Sequence, residues 1–551
     1  MRFQLDHDWQ GNMSTPRARV GDSAKTRLLL ALCVIWILLG LIAHAPWKPL
    51  ESTGISIVKS MLDGGSLIAP LANGETTLES PPLYYLTAAA SAKIFAPVLD
   101  MHDGARLSNA IWLSLLLLMV GMTGRELWGR GIGRHSTFIM IGTIGLVLSA
   151  HSLVNDVASF ACSASGFYAL ALCKRRPWRA SGLLGIAMAF GFLSEGLMPL
   201  AILLSTALIL FVCFSAWRTQ SFITVVGFAM LIALPLISTW VLLMHYQSPA
   251  LLESWWRASV TSYHQQNYFY FLRTLIWYAW PATPLALLGL WRYRSQLLIK
   301  PKFQLMISYF VCGIFFLGLG ASAKDINGLP LLLPLVALAA GSVVHLKRGL
   351  AAALNWFGVM LFGLIGSLIW LGWFAMMTGY PARIKNRMQF LSGTNDIHFS
   401  WLALIIALVI TAIWVSVCIR AKQTNKSTVT NWAVGMTFGW GLLMTLWLPL
   451  LDSAKSYQPV FASLNNALPK NYNCVSSLNV AQPQRLLLNY YTNIKLQPFE
   501  TTQQLSCDLY LLQDVKGIGD MHPGQEWQLL WKGRRTADRK ESFRLFKRIA
   551  Q

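Results

Sequence analysis

Residues 180–216 read ASGLLGIAMAFGFLSEGLMPLAILLSTALILFVCFSA, and Glu195 is the one charged residue among them. Such a run has no stable surface in water, whereas in hydrocarbon it satisfies its own backbone by coiling into helix. Glu195-Gly196 divides it into two runs, 180–194 and 197–216, with the charge at the turn. The pattern repeats in both directions. Further apolar runs at 28–45, 106–124, 135–151, 157–173, 221–244, 271–291, 303–320, 328–345, 350–377, 400–419 and 431–450 give an expectation of thirteen crossings. Composition agrees with this reading. The 551 residues are 55% hydrophobic and 12% charged, half the charge of an average soluble domain at about 25%. Mean hydropathy is +0.48. The chain reads as a polytopic α-helical membrane protein.

The formal net charge of +22 raises a nucleic-acid reading, against which the placement of the charge argues. Lys and Arg fall in short clusters between apolar runs, such as Lys174-Arg175-Arg176, Arg292-Tyr293-Arg294 and Lys347-Arg348. That spacing orients membrane helices. With the N-terminus in the cytoplasm, every loop assigned to the inner side carries Lys or Arg, and two outer turns carry none. The tail 1–27 is hydrophilic and holds Arg2, Arg17, Arg19, Lys25 and Arg27. The run Leu28–Ala45 is long for a signal-peptide core and has no small-x-small site after it, so it reads as an uncleaved first span. An odd number of crossings puts the C-terminus outside. The expected organisation is a cytoplasmic tail 1–27, a transmembrane domain 28–451 with an outer loop 46–105, and an outer domain 452–551.

Two stretches break the simple alternation. Pro81-Pro82 followed by LYYLTAAASAKIFA is apolar but short. A span there would move Arg125, Arg130 and Arg134 outside, so a helix lying in the outer interface is preferred, with Tyr84 and Tyr85 at headgroup depth. The first outer loop is expected to carry interfacial helices at 52–63 and 83–96. From Asp452 onward no run is long enough to span, and short apolar strands alternate with helices near 456–467 and 482–491, as in a small α/β domain. Six of the eight cysteines lie in apolar runs, as small hydrophobes do. Cys474 and Cys507 each precede or begin a strand on an oxidising side, and a disulfide between them is expected. Two unpaired buried thiols are the alternative.

Helix centres are almost free of charge; the carboxylates gather at outer helix ends. These are Glu51, Glu79, Asp156 and Glu195, with Lys324 and Asp325 in an outer turn and Arg257 and His264 in the loop 245–270. Taken singly, each acid also reads as a helix cap or solvated anchor, and Asp156 after Asn155 as a cap. Lys324 reads equally as an interface anchor, and Tyr84-Tyr85 as a belt rather than a substrate contact. Taken together, they describe a site at one membrane face. A transporter calls for polar groups or broken helices at the midplane and a channel for a polar stripe; neither is evident in the sequence, and a flippase or transporter stays a third reading. A carboxylate base acting on a lipid-borne substrate fits the placement.

The stretch WKPLESTGISIVKSMLDGGSLIAPLANGETTLESPPLYYLTAAASAKIF, with ARLSNAIW, RELWGRG, AHSLVNDVA, GFLSEGLMP, TLIWYAWPATPLALLGLW and SAKDINGLPLLLPLVALAAG, resembles the bacterial ArnT-like glycosyltransferases. These are relatives of the protein O-mannosyltransferases with the GT-C fold. The resemblance implies a fold of about thirteen transmembrane helices with a small C-terminal α/β periplasmic domain, in the cell inner membrane. It implies sugar transfer from a polyprenyl-phosphate donor, such as undecaprenyl phosphate, to a lipid A-like, glycan or protein acceptor among the membrane lipids. Asp156 and Glu51 are the acid–base candidates; Glu79, Tyr84, Tyr85, Glu195, Arg257 and Lys324 are the substrate-binding candidates, Lys324 for the donor phosphate. The sequence shows no required cofactor and leaves a divalent metal open. Three positions depart from the family pattern. Its Asp-Glu after Pro reads Leu50-Glu51, its Glu-Lys-Pro-Pro reads Glu79-Ser80-Pro81-Pro82, and its Lys-Gly reads Glu195-Gly196. The alternative reading is accordingly a catalytically impaired member that binds polyprenyl lipid or supports envelope glycan assembly.

Overall fold

The computed structural model describes residues 22–73, 75, 78–261, 267–394, 398–420, 425–498, 507–515, 524, 526–538 and 541–549. Helices carry the apolar runs because lipid offers a bare backbone no partner. Among the described residues, six helices are long and apolar enough to cross a membrane: Met101–Trp128, Gln220–Gln247, Pro301–Gly320, Asp325–Val343, Arg348–Thr378 and Trp401–Ile419. The number rises to eight if each of two bent pairs is one span, and Thr26–Leu38, Asp156–Leu172 and Leu197–Cys213 are shorter apolar helices. Several of the expected runs are carried by shorter or interrupted helices, and sequence chemistry explains two of the interruptions. The run 135–151 breaks at Gly142-Thr143 into helices Ile132–Ile141 and Ile144–Ala150, bent by 64°. The run 271–291 breaks at Trp280-Pro281 into Tyr268–Tyr278 and Ala282–Arg292, since proline cannot donate into a continuing ladder.

Burial sorts these helices. In Asp325–Val343, 83% of the apolar window is buried in the protein, whereas in Trp401–Ile419 only 6% is. A helix apolar on every side and largely uncovered by protein has hydrocarbon as its natural solvent. Helix Asp156–Leu172 is the central post, buried along almost its whole length. It packs on Ser108–Trp128 and Pro177–Glu195 and holds Asp156 at its first position, at the end of the bundle that bears the loop 46–105.

That loop forms helices Leu50–Leu62 and Leu83–Phe95. Tyr84 and Tyr85 are buried in the protein, at 0% and 3% exposure. The Tyr84 hydroxyl donates to Asn109 Oδ1 at 2.9 Å, so a phenol that also suits a membrane interface is drawn inward by a buried acceptor.

The C-terminal unit is a five-stranded mixed sheet of β1 (Val475–Leu478), β2 (Leu496–Pro498), β3 (Leu509–Val515), β4 (Trp527–Gly533) and β5 (Glu541–Arg548), in the order β2-β1-β3-β5-β4. β1 runs parallel to β2 and β3; β5 runs antiparallel to β3 and β4. Cys474 and Cys507, just before the neighbouring β1 and β3, form a disulfide. Helix Gln482–Thr492 lies on Leu50–Leu62, where Lys59 Nζ donates to the carbonyls of Asn489 (3.0 Å) and Tyr490 (3.3 Å) and to Asn493 Oδ1. Arg485 pairs with Glu75 at 3.2 Å, and His102 Nδ1 meets the Tyr490 hydroxyl at 3.0 Å. One hydrophobic core runs without interruption from the membrane helices into the sheet unit.

Candidate active site

Glu51, in the first turn of Leu50–Leu62, is 2% exposed. Its Oε1 accepts from Arg106 Nε at 2.7 Å and Leu153 N at 2.9 Å. Its Oε2 accepts from Arg106 Nη2 at 3.1 Å and Trp47 N at 2.9 Å. Arg106, 1% exposed, also donates through Nη1 to Asp103 Oδ1 (2.8 Å) and His44 O (2.8 Å), and through Nη2 to Ala45 O (3.0 Å). Asp452 Oδ1 accepts from Ala45 N and Trp47 Nε1, both at 2.9 Å. The network joins the turn after the first helix, the first loop, the turn before Asp156 and the entry to the sheet unit. Burial pushes the Glu51 carboxyl up, but the Arg106 charge and its hydrogen bonds outweigh this and hold it below the usual carboxylate range. A carboxylate with four donors and a fork-to-fork arginine has little freedom to collect a further proton.

A second group of side chains meets where Asp156 begins its helix. Lys324 stands within electrostatic reach of the Glu79 and Asp156 carboxylates and, among the described residues, forms an ion pair with neither. Tyr85 lies beside Ser80 and within electrostatic reach of Glu79 and Asp156; burial holds its phenol well above its ordinary range, so it stays a hydrogen-bond donor. Glu195 faces Asp156 across the mouth, with Ser159 beside it, and Asn155 Nδ2 ties the two helix ends by donating to Ser194 O at 3.2 Å. Asp156 and Glu195 are half-buried, whereas Glu79 and Lys324 are exposed. Asp325, next to Lys324, accepts from the Tyr270 hydroxyl at 2.6 Å. The group combines an ammonium, three carboxylates and a phenol at the rim of an apolar bundle, which suits a phosphate-bearing lipid substrate and a proton acceptor.

The remaining sequence candidates lie apart. Arg257 is exposed and pairs with Glu253 one turn away. His264 lies outside the described residues. Asparagine, not Asp156, stands at the N-cap, and no side-chain cap bond forms there. Among the described residues no group of three His, Cys, Asp or Glu side chains is placed to hold a metal ion. Sequence reasoning missed Arg106 and Asp103. The available signal was an arginine opening the apolar run 106–124, a position where charge is expensive unless paired.

No protein-family model matches the chain. Over 355 residues it is 25% identical to an undecaprenyl phosphate-alpha-4-amino-4-deoxy-L-arabinose arabinosyl transferase of Pseudomonas savastanoi pv. phaseolicola, covering 60% of this chain and 64% of that protein. Over 370 residues it is 26% identical to a protein of the same name, numbered 1, from Pseudomonas fluorescens Pf-5, covering 62% and 64%. The aligned stretch is thus less than two thirds of these relatives' own length. The crystal structure of ArnT from Cupriavidus metallidurans in the apo state is similar with a TM-score of 0.67 at 14% identity, covering 95% of this chain and 98% of that one. The same protein bound to undecaprenyl phosphate gives 0.65 over the same shares. This likeness shows the fold.

Proposed function

We propose that this chain, ArnT-like in sequence and in fold, moves a sugar from an undecaprenyl-phosphate donor to a lipid A-like acceptor at the outer face of a bacterial inner membrane. The relatives' names specify such a donor. In this reading the tail 1–27 is cytoplasmic, 28–451 crosses the membrane, and 452–551 lies in the periplasm, an oxidising compartment consistent with the Cys474–Cys507 disulfide.

The observation that carries the proposal is the meeting of Glu79, Tyr85, Asp156, Glu195 and Lys324 at one mouth of the bundle. The acceptor oxygen attacks the anomeric carbon and gives its proton to Asp156. The bond from that carbon to the donor phosphate oxygen breaks, and the lipid phosphate leaves with the electron pair, its charge met by Lys324. Tyr85 donates a hydrogen bond to the sugar or the phosphate, and the Glu79 charge balances Lys324 at a distance. Glu51 acts as the brace that sets the loop against Leu153, three residues before Asp156. No step is routed through a metal.

The second reading, binding without transfer, is favoured by Leu50, Ser80 and Glu195, which replace two ionisable side chains with neutral ones and a basic one with an acid. The discriminating experiment follows donor consumption by purified protein in lipid. Activity that Asp156→Ala abolishes supports transfer. Unchanged activity in both Asp156→Ala and Glu51→Ala, at equal protein level, overturns the residue assignment. Tight donor binding without consumption, converted to turnover by restoring Asp at 50 and Lys at 80, establishes the second reading.

A further inference from the structure

Helix Ala382–Ser392, ARIKNRMQFLS, joins the spans Arg348–Thr378 and Trp401–Ile419 at the end of the bundle that bears the sheet unit. It carries three basic residues and no acid. Arg383 and Arg387, one turn apart, are both exposed and share a face with Asn386 and Phe390. Phe390 and Leu391 are 48% and 50% exposed. Among the described residues, Arg383, Lys385 and Arg387 form no ion pair with an acidic side chain, whereas Arg106, Arg485, Arg535 and Arg544 all do. Where the helix ends, a Cβ on Gly393 would lie 2.6 Å from Ala537 N and from Thr536 Cβ. This contact sets the turn at Thr536-Ala537 on the end of the helix; exposed Arg534 and Lys532 lie two and four residues before it in the chain. The two ends of the connection carry exposed aromatics, Tyr380 at 74% and Trp401 at 70%, the residues that settle at headgroup depth.

Two physical rules conflict here. Outer loops are normally poor in Lys and Arg, and basic side chains without acidic partners repel each other even where one, Arg387, lies over a ring, that of Phe390 at 5.4 Å. A short helix that is basic and apolar on its open face resolves both by lying on an anionic lipid surface. We infer that Ala382–Ser392 and the adjoining Lys532–Arg534 edge form a binding surface for phosphate-bearing lipid headgroups of the leaflet they face, separate from the Asp156 mouth. An acidic protein segment would match the charge but not the exposed Phe390 and Leu391 set between two aromatic anchors. The leaflet is the outer one under the function proposed above, on which this part of the inference rests.

The test uses the full chain with Asn386→Cys labelled by bimane, reconstituted in vesicles at low salt, with the unsubstituted chain as the labelling blank. Brominated phosphatidylglycerol is expected to quench the label better than brominated phosphatidylcholine at equal mole fraction. Arg383→Gln and Arg387→Gln should each lower that preference by about fivefold, and added salt should weaken it. Equal quenching by the two lipids overturns the inference, as does a label that neither lipid reaches, which would mean that protein covers the surface. An impermeant maleimide separately reads which side residue 386 faces. Labelling from the side of the N-terminus would refute the outer-face reading while leaving the lipid preference to stand or fall by quenching.

Discussion

Replacing Arg106 by methionine removes the centre of the buried brace and leaves its packing volume nearly unchanged. The guanidinium has five N–H donors, and all five are engaged, two with Glu51, one with Asp103 and two with the carbonyls of His44 and Ala45. The variant leaves Glu51, at 2% exposure, charged and without its counter-ion. Losing one partner of a buried pair costs about 3–5 kcal/mol. For 551 residues, with an unfolding entropy of about 2 cal/mol/K per residue, this lowers the midpoint by about 3–5 °C. The assay is loss of monodisperse protein after heating in detergent, at one scan rate. Arg257→Ala, which breaks an exposed pair, serves as the control and should leave the midpoint within about 1 °C. An Arg106→Met midpoint equal to wild type, or one matched by Arg257→Ala, refutes the reasoning.

Asp156→Asn should lower transfer by about 10²–10⁴-fold without moving the heating midpoint, whereas Glu51→Gln should lower midpoint and activity together; rates at equal folded protein separate the two. Because the Glu51 carboxyl is held below its unfolded value, its contribution is fully present above about pH 4.3. That contribution disappears as pH falls through the lower folded value, so the Arg106→Met midpoint deficit should shrink in acid. Gly54→Ala places a Cβ 2.4 Å from the Leu153 carbonyl oxygen, a backbone atom that cannot swing aside; a loss of about 1–3 kcal/mol is expected, read as a lower midpoint. Cys474→Ser with Cys507→Ser opens a loop of 33 residues and should cost the sheet unit about 4 kcal/mol, seen as faster proteolysis of the C-terminal region.

What was legible in the sequence follows from where the physics is local. Hydrocarbon imposes a strong rule on every residue of a span, so the run 180–216 with its single Glu195 announces itself. The breaks at Gly142-Thr143 and Trp280-Pro281 were readable as residue types, yet hydropathy averaging passed over them and drew each run as one straight helix. The helices Leu50–Leu62 and Leu83–Phe95 lie within a few residues of the expected 52–63 and 83–96. The environment of Tyr84 was hidden, because a tyrosine at an interface and one bonded to a buried asparagine look alike until Asn109 is brought near. The role of Glu51 was hidden for the same reason, since its partners Arg106 and Leu153 are distant in sequence. The gathering of Glu79, Asp156, Glu195 and Lys324 was foreshadowed by their common position at helix ends. Arg257, with the same address, pairs with its own helix instead.

The most direct test of the central claim is donor turnover. Purified chain in lipid is mixed with undecaprenyl phosphate carrying 4-amino-4-deoxy-L-arabinose and a lipid A acceptor, and free undecaprenyl phosphate is quantified over time. The account predicts release of lipid phosphate matched by modified acceptor, and loss of both in Asp156→Asn at an unchanged heating midpoint. Donor bound tightly but not consumed by the wild-type chain, or turnover indifferent to Asp156→Asn, would contradict it.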